Sequence, residues 1–196
     1  MRITLASQSA ARRALLAGAG VAHEATVSGV DEDELKARML LAGEGPAAIA
    51  QALADAKALA VSAVRDGLVI GADQTLDLEG RLHDKAESRE AARVRLQTLR
   101  GRAHALHSAV SLARDGAVIW RETVSARLVM RPFSDAFLET YLDAEGEAAL
   151  GSVGCYRLES LGVQLFEAIE GDYFTILGLP MTGLLARLRA EGALAA

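Results

Sequence analysis

The sequence is poor in the residues that build several common kinds of site. It holds one cysteine in 196 residues, Cys155, which excludes an internal disulfide and a Cys-rich zinc site. Three prolines and no Ser- or Pro-rich linker leave no break in composition, so residues 1–196 are predicted to form a single domain. No apolar run approaches the roughly 18 residues of a membrane span, and the N-terminus lacks the apolar core of a signal peptide. We therefore expect a cytoplasmic protein with no membrane partner.

Positive charge is also scarce. Lysine and arginine total 21 against 26 acidic residues, a net charge of −5 that disfavours nonspecific binding to nucleic acid. Only three of the basic residues are lysines, namely Lys36, Lys57 and Lys85. A lysine kept where arginine is so plentiful is a candidate for a compact charge directed at a phosphate, with chance as the alternative.

Several nucleotide and hydrolase motifs are missing. There is no Gly-x-x-x-x-Gly-Lys loop and no Gly-x-Ser-x-Gly elbow, and the segment Gly18-Ala19-Gly20 lacks the third glycine of a dinucleotide fingerprint. His104 and His107 lie three residues apart in a predicted strand and would face opposite sides, which disfavours a shared metal. These absences exclude the common nucleotide-binding loops and the α/β-type serine hydrolases.

Hydrophobic periodicity and turn residues predict alternating strands and helices. The predicted helices are 10–17, a short helix after Asp31 that ends near Gly43, 47–64, 88–99, 134–144 and 182–190. The predicted strands are 2–6, 23–28, 68–70 and 163–169, with hairpins over 75–82 and 103–130. This pattern predicts an α/β fold with a mixed sheet.

Two local patterns suggest chemistry. Ser7 and Ser9 precede a helix that carries Arg12 and Arg13 in its first turns, an arrangement that can hold phosphate oxygens; the alternative is a capped helix with solvated arginines. Asp73 follows an apolar strand, a place for a metal ligand or a general base; the alternative is an Asx turn into the next hairpin.

A series of short motifs is similar to those of the Maf family of nucleotide pyrophosphatases, from Leu5 to Leu188. In order, they are Leu5-Ala6-Ser7-Gln8-Ser9 with Arg12-Arg13, Asp31-Glu32, Leu53-Ala54-Asp55-Ala56-Lys57-Ala58, Gly71-Ala72-Asp73, Lys85-Ala86, Gly101-Arg102-Ala103-His104, Gly171-Asp172-Tyr173 and Gly178-Leu179-Pro180. The resemblance implies an elongated mixed-sheet fold related to that of the inosine triphosphate pyrophosphatases, with a cleft between two lobes. It also implies hydrolysis of nucleoside triphosphates to the monophosphate and pyrophosphate with a divalent cation, Mg²⁺ or Mn²⁺.

The resemblance also implies roles for single residues. Ser7, Arg12 and Arg13 would bind phosphate oxygens, and Lys57 and Lys85 would neutralise charge on the leaving pyrophosphate. Glu32 and Asp73 would hold the metal, and Asp73 would also activate the attacking water. Gln74 and Glu159 would contact the substrate.

The identity of the base depends on Glu159. It matches the family branch that acts on 7-methyl-GTP, whereas the dTTP and UTP branch has glutamine there; the alternative is that Glu159 only pairs with Arg157. The other functions left open are a non-catalytic nucleotide sensor linked to division and an inosine or xanthosine triphosphate pyrophosphatase. The family also implies removal of noncanonical nucleotides, and the oligomeric state stays open, with a homodimer as one option.

Overall fold

A computed structural model describes residues 1–195. Its helices are α1 (Ala10–Gly18), α2 (Glu32–Leu41), α3 (Pro46–Ser62), α4 (Arg89–Leu99), α5 (Asp135–Glu145), α6 (Tyr173–Ile176) and α7 (Met181–Ala190). Its strands are β1 (Ile3–Leu5), β2 (Glu24–Ala25), β3 (Leu68–Leu78), β4 (Arg81–His83), β5 (Ala103–Arg114), β6 (Ala117–Met130) and β7 (Phe166–Glu170). Short 3₁₀ helices cover Gly146–Gly151 and Leu161–Leu165.

The strands form one mixed sheet with the order β2-β1-β3-β5-β6-β7, and β4 pairs with part of β3. β1 runs parallel to β2 and β3, whereas the remaining pairs are antiparallel. The predicted α/β fold with a mixed sheet is therefore confirmed. None of the helices in residues 1–195 has the length and apolar character needed to cross a membrane.

Two apolar cores lie along the same long strands. The first includes Ile3, Leu5, Leu16, Leu68, Ile70, Val110, Leu112, Leu184 and Leu188. The second includes Leu76, Leu78, Leu96, Leu99, Leu106, Leu128, Leu138, Tyr141 and Tyr156. β3 and β5 contribute to both, so the sheet connects two lobes, as the resemblance implies.

Helix α3 packs unusually close to β3, and Gly71 permits this. A Cβ atom on Gly71 would lie 2.1 Å from the carbonyl oxygen of Ala54 and 2.5 Å from the backbone nitrogen of Ala58. Only a residue without a side chain fits there. Because alternate residues of a strand share a face, the side chain of Asp73 points toward the same helix as Gly71.

The expectation that a strand ends at Asp73 is wrong. β3 continues to Leu78 because it pairs with β5 from Val69 to Asp77. Its other edge is paired only at its two ends: β1 pairs with residues 68–70, and β4 with residues 76–78. Between these registers, residues 71–75 border an opening in the sheet edge, and Asp73 lies at its centre.

Other boundaries differ more modestly. The predicted strand 23–28 is reduced to Glu24–Ala25, and the predicted strand 163–169 begins only at Phe166. Residues before Phe166 form a 3₁₀ helix, which hydrophobic alternation does not distinguish from a strand. Helix α6 was not predicted, because it has four residues and depends on a single cap.

Candidate active site

A cleft of about 1550 Å³ opens between the two lobes at the interrupted edge of β3. It is lined by the start of α1, one side of α2, Lys57 of α3, the centre of β3, the loop after β4 and the segment 151–159. Eight of the predicted site residues line it: Ser7, Arg12, Glu32, Lys57, Asp73, Gln74, Lys85 and Glu159. The structure thus brings together residues separated by up to about 150 positions.

Arg12 is buried in the cleft wall, with 9% of its surface exposed. Its Nε donates to the carbonyl of Gly178 at 2.7 Å, and its Nη1 donates to the carbonyl of Ala72 at 3.0 Å and to Ser7 Oγ at 3.3 Å. Burial lowers the pKa of Arg12, while the charges of Asp73 and Glu32 oppose that shift. A guanidinium does not deprotonate in proteins, so this side chain is a fixed positive charge.

Arg13 lies elsewhere. It is exposed and is absent from the cleft lining, because successive helical residues point about 100° apart and Arg12 takes the inward direction. Ser9 caps the helix by accepting from the Arg12 backbone N–H at 3.4 Å. The helix is therefore a capped helix with one solvated arginine and one inward-facing arginine.

Lys57 and Asp73 form the buried charged centre of the cleft, with 6% and 8% of their surfaces exposed. Lys57 Nζ lies 2.6 Å from Asp73 Oδ1 and 2.8 Å from Glu32 Oε1. The close approach of α3 at Gly71 makes this contact possible, since Lys57 lies between the two helix residues that touch that glycine. The sequence separation of the three charged residues gave no sign that one ammonium group joins both carboxylates.

Lys85 lies in the exposed loop after β4. Its pKa is lowered, first by partial desolvation against the cleft wall and then by the positive charges of Arg12 and Lys57. Asp73 and Glu32 act in the opposite direction. Lys85 is therefore within electrostatic reach of the same charged centre while its ammonium group remains accessible to a ligand.

Gln74 points to the opposite face of β3 from Asp73. Its Nε2 donates to Ser108 Oγ at 2.9 Å and to the carbonyls of Thr175 and Ile176 at 3.1 and 3.0 Å. The amide thus attaches α6 to the sheet. This position supports the cleft wall, and a role in contacting substrate remains a prediction.

The C-terminal motif has a structural role that the sequence did not reveal. Asp172 caps α6 by accepting from the Thr175 N–H and hydroxyl at 2.9 and 2.5 Å. Gly178 follows with a φ of +95°, a conformation that favours glycine, and presents its carbonyl to Arg12. Tyr173 projects into the cleft with 47% of its surface exposed.

Glu159 lines the cleft beside Arg157 on the second lobe. Arg157 Nε donates to Glu159 Oε1 at 3.2 Å, and its Nη1 donates to Glu145 Oε2 at 3.2 Å. The pairing considered as the alternative role of Glu159 is therefore present. Because both side chains also line the cleft, the ion pair does not remove Glu159 from reach of a ligand.

The two histidines face different surroundings, as predicted. His104 Nε2 lies 2.7 Å from the hydroxyl of buried Tyr156, whereas His107 contacts Ser125 and Asp77. Across residues 1–195, no three His, Cys, Asp or Glu side chains converge as a ready-made metal cage. Glu32 and Asp73, joined through Lys57, are two of the acidic residues that line the cleft.

The mixed sheet and the cleft between its two lobes, lined by Arg12, Lys57, Lys85 and several carboxylates, agree with the fold and site that the family resemblance implies. The family of Maf-like proteins matches residues 2–191, nearly the whole chain, and the chain belongs to that family. The resemblance drawn from the sequence motifs is confirmed.

Curated relatives are similar over nearly their full lengths. A nucleoside triphosphate pyrophosphatase of Caulobacter vibrioides is 63% identical over 98% of this chain and 96% of its own. A 7-methyl-GTP pyrophosphatase of Rhizobium meliloti is 49% identical over 98% of this chain and 97% of its own. A nucleoside triphosphate pyrophosphatase of Granulibacter bethesdensis is 50% identical over 99% of both chains.

Proposed function

We propose that the protein is a nucleoside triphosphate pyrophosphatase that hydrolyses the bond between the α and β phosphates. One observation carries the proposal: a buried carboxylate, Asp73, lies 2.6 Å from a buried lysine in a cleft that Arg12 and Lys85 also line. A triphosphate needs several cations for binding and one carboxylate for water activation. The names of the relatives describe the same reaction.

The cationic side chains would divide the phosphates among them. Arg12 is fixed by two backbone carbonyls and by Ser7, so it offers a preorganised guanidinium that needs no rearrangement on binding. Lys57 and Lys85 would stabilise negative charge as the pyrophosphate leaves. Phosphoryl chemistry depends mainly on such positioning and charge stabilisation.

Asp73 is the group we assign to the attacking water. Lys57 contacts its Oδ1 and fixes the orientation of the carboxylate, and Oδ2 is the acceptor for the water proton. Lys57 also keeps negative charge on Asp73 compatible with burial, since a buried carboxylate requires a partner. A positioned base of this kind typically contributes about 10²–10⁴-fold in rate.

Glu32 and Asp73 are the residues that would hold a divalent cation. Their chemistry fits Mg²⁺ or Mn²⁺, which prefer oxygen ligands, and Mg²⁺ is commonly held by one or two carboxylates plus substrate phosphates. When bound, the ion would supply charge neutralisation at the phosphate oxygens. Lys57 already joins the two carboxylates, so this chain prearranges them before any cation arrives.

For the base, we propose a guanine-type nucleotide, with 7-methyl-GTP as the favoured substrate. A carboxylate at Glu159 can accept from the N1–H and amino group of guanine and favours a cationic methylated ring. The relatives' names include both 7-methyl-GTP and unspecified nucleoside triphosphates. A dTTP or UTP pyrophosphatase of the same family is the alternative.

Pyrophosphate release from UTP, dTTP, CTP, GTP, 7-methyl-GTP and ITP tests the proposal, with Mg²⁺ or Mn²⁺ and with chelator. We expect metal-dependent release by the wild type and at least 10²-fold slower release by a folded Asp73→Asn variant. Asp66→Asn is the matched control, because Asp66 is exposed and outside the cleft. No release from any nucleotide would refute the enzymatic function, and wild-type turnover by Asp73→Asn would refute its role.

The base preference has its own test. Glu159→Gln is expected to reduce kcat/KM for 7-methyl-GTP about tenfold or more, since a hydrogen bond to a charged group is worth about 1.5–3 kcal/mol, and to change UTP cleavage little. Glu44→Gln, at an exposed position away from the cleft, is the control. A wild-type preference for UTP and dTTP would contradict the guanine assignment.

A further inference from the structure

Lys36 is the one lysine to which the proposed reaction assigns no role. It lines the same cleft as Lys57 and Lys85, so all three lysines of the chain lie along one cavity. The remaining 18 basic residues are arginines, and most of them lie outside this cleft. The presence of all three lysines along one cleft is the pattern expected if they bind the same anionic ligand.

The position of Lys36 follows from helix α2. Residues four apart lie on the same helix face, so Lys36 lies one turn beyond Glu32, which contacts Lys57 within the cleft. None of the residues of α2 is buried. The helix therefore places the side chains of Glu32 and Lys36 along the cleft, and neither belongs to an apolar core.

The present partners of Lys36 are two exposed carboxylates. Its Nζ lies 2.9 Å from Asp33 Oδ1 and 2.8 Å from Asp84 Oδ1. Only 18% of the Lys36 side chain is exposed, against 92% for Asp33 and 66% for Asp84. Exposed ion pairs of this kind contribute little free energy, so a more highly charged phosphate can compete with them.

Lys36 also carries its charge reliably. Burial lowers its pKa, but the hydrogen bonds to Asp84 and Asp33 outweigh that effect and raise the pKa above its ordinary value. The ammonium group is therefore positive at neutral pH. Asp84 immediately precedes Lys85, so Lys36 contacts the loop that carries Lys85.

We infer that Lys36 is a third phosphate-binding lysine, which exchanges Asp33 and Asp84 for oxygens of the leaving pyrophosphate group when substrate binds. The inference rests on the proposed function. The competing explanation is purely structural: the pair Lys36–Asp84 would tie α2 to the loop that carries Lys85. The two explanations predict opposite behaviour when Asp84 loses its charge.

The test compares Lys36→Met and Asp84→Asn with wild type by KM for 7-methyl-GTP or GTP and by calorimetric Kd for inorganic pyrophosphate with Mg²⁺. Loss of a charge-assisted hydrogen bond predicts a rise of about tenfold or more in both constants for Lys36→Met. Asp84→Asn removes the charge of one of the two carboxylates that hold the lysine, and should leave both constants unchanged or lower. Arg38→Gln, on the same helix but outside the cleft, should match wild type.

Two results would overturn the inference. Unchanged constants in Lys36→Met would show that the lysine does not touch the phosphates. A similar rise of KM and of the pyrophosphate Kd in Asp84→Asn and Lys36→Met would show that the ion pair only connects α2 to the loop that carries Lys85. Because the pyrophosphate Kd needs no turnover, an inactive wild type would refute the proposed reaction while this binding measurement still decides the role of Lys36.

Discussion

Replacing Gly71 with alanine would test whether the close packing of helix and strand builds the charged centre. The added Cβ would lie 2.1 Å from the carbonyl oxygen of Ala54 and 2.5 Å from the backbone nitrogen of Ala58. Both atoms belong to the backbone of α3, so no side chain can rotate away. The helix and strand must separate instead.

The structure sets the scale of that separation. Ordinary contact begins near 3.4 Å, so α3 must retreat by about 1.3 Å at Ala54. Lys57 moves with the helix, and its 2.6 Å contact with Asp73 would lengthen toward about 4 Å. Overpacking of this kind costs about 1–3 kcal/mol, and misplacing a reacting group by about 1 Å can reduce the rate about 10²-fold.

Urea denaturation and pyrophosphate release measure the two effects separately. We expect Gly71→Ala to lower the free energy of unfolding by about 1–3 kcal/mol and kcat by about 10²-fold. Gly18→Ala is the matched control, because a Cβ there meets no atom within 4 Å and its φ is not positive. A Gly71→Ala protein with wild-type stability and turnover would refute the argument that close packing positions Lys57.

Two predictions concern pH. Because the pKa of Lys85 is lowered, its ammonium group loses its charge at a pH below the ordinary lysine pKa of about 10.4, and kcat/KM should fall there. Lys85→Arg should move this alkaline fall to higher pH. An unchanged pH profile in Lys85→Arg would contradict the assignment. Burial lowers the pKa of His104 from 6.5 to about 4. The unfolded chain then binds more protons, so stability is complete above pH 6.5 and falls by up to about 3 kcal/mol as the pH decreases toward 4. Urea denaturation between pH 4 and 6.5 should show that the free energy of unfolding depends less on pH in His104→Asn than in wild type. Equal pH dependence in the two proteins would contradict the effect of burial.

Much of the charged centre could be predicted from residue type and order. The small hydroxyl residues before α1 predicted a polar helix start. The scarcity of lysine did not distinguish Lys57 and Lys85 from Lys36, and the family resemblance assigned the two their roles. Their distances could not be predicted, because the contact of Lys57 with Asp73 depends on how closely two elements pack. Gly71, the residue that decides this, reads in sequence as an ordinary strand-end glycine.

Other features depend on partners far along the chain. Arg12 and Arg13 point in different directions from α1, but the sequence alone could not show which of them faces the cleft. Asp73 lies within a strand because β5, more than 30 residues later, extends the pairing. The motif around Asp172 was noticed, yet its role as a cap became visible only with the helix that it begins.

The hydrogen bond from Arg12 to the carbonyl of Gly178 joins residues 166 positions apart. During synthesis, the first helix therefore emerges long before the acceptor that completes its guanidinium. Until the C-terminal segment arrives, Arg12 lacks one of its buried partners and cannot take the position in which we propose that it binds phosphate. Nucleotide binding is consequently expected only after Gly178 has been synthesised. A ribosome-bound chain that ends before Gly178 should not bind cellular triphosphates.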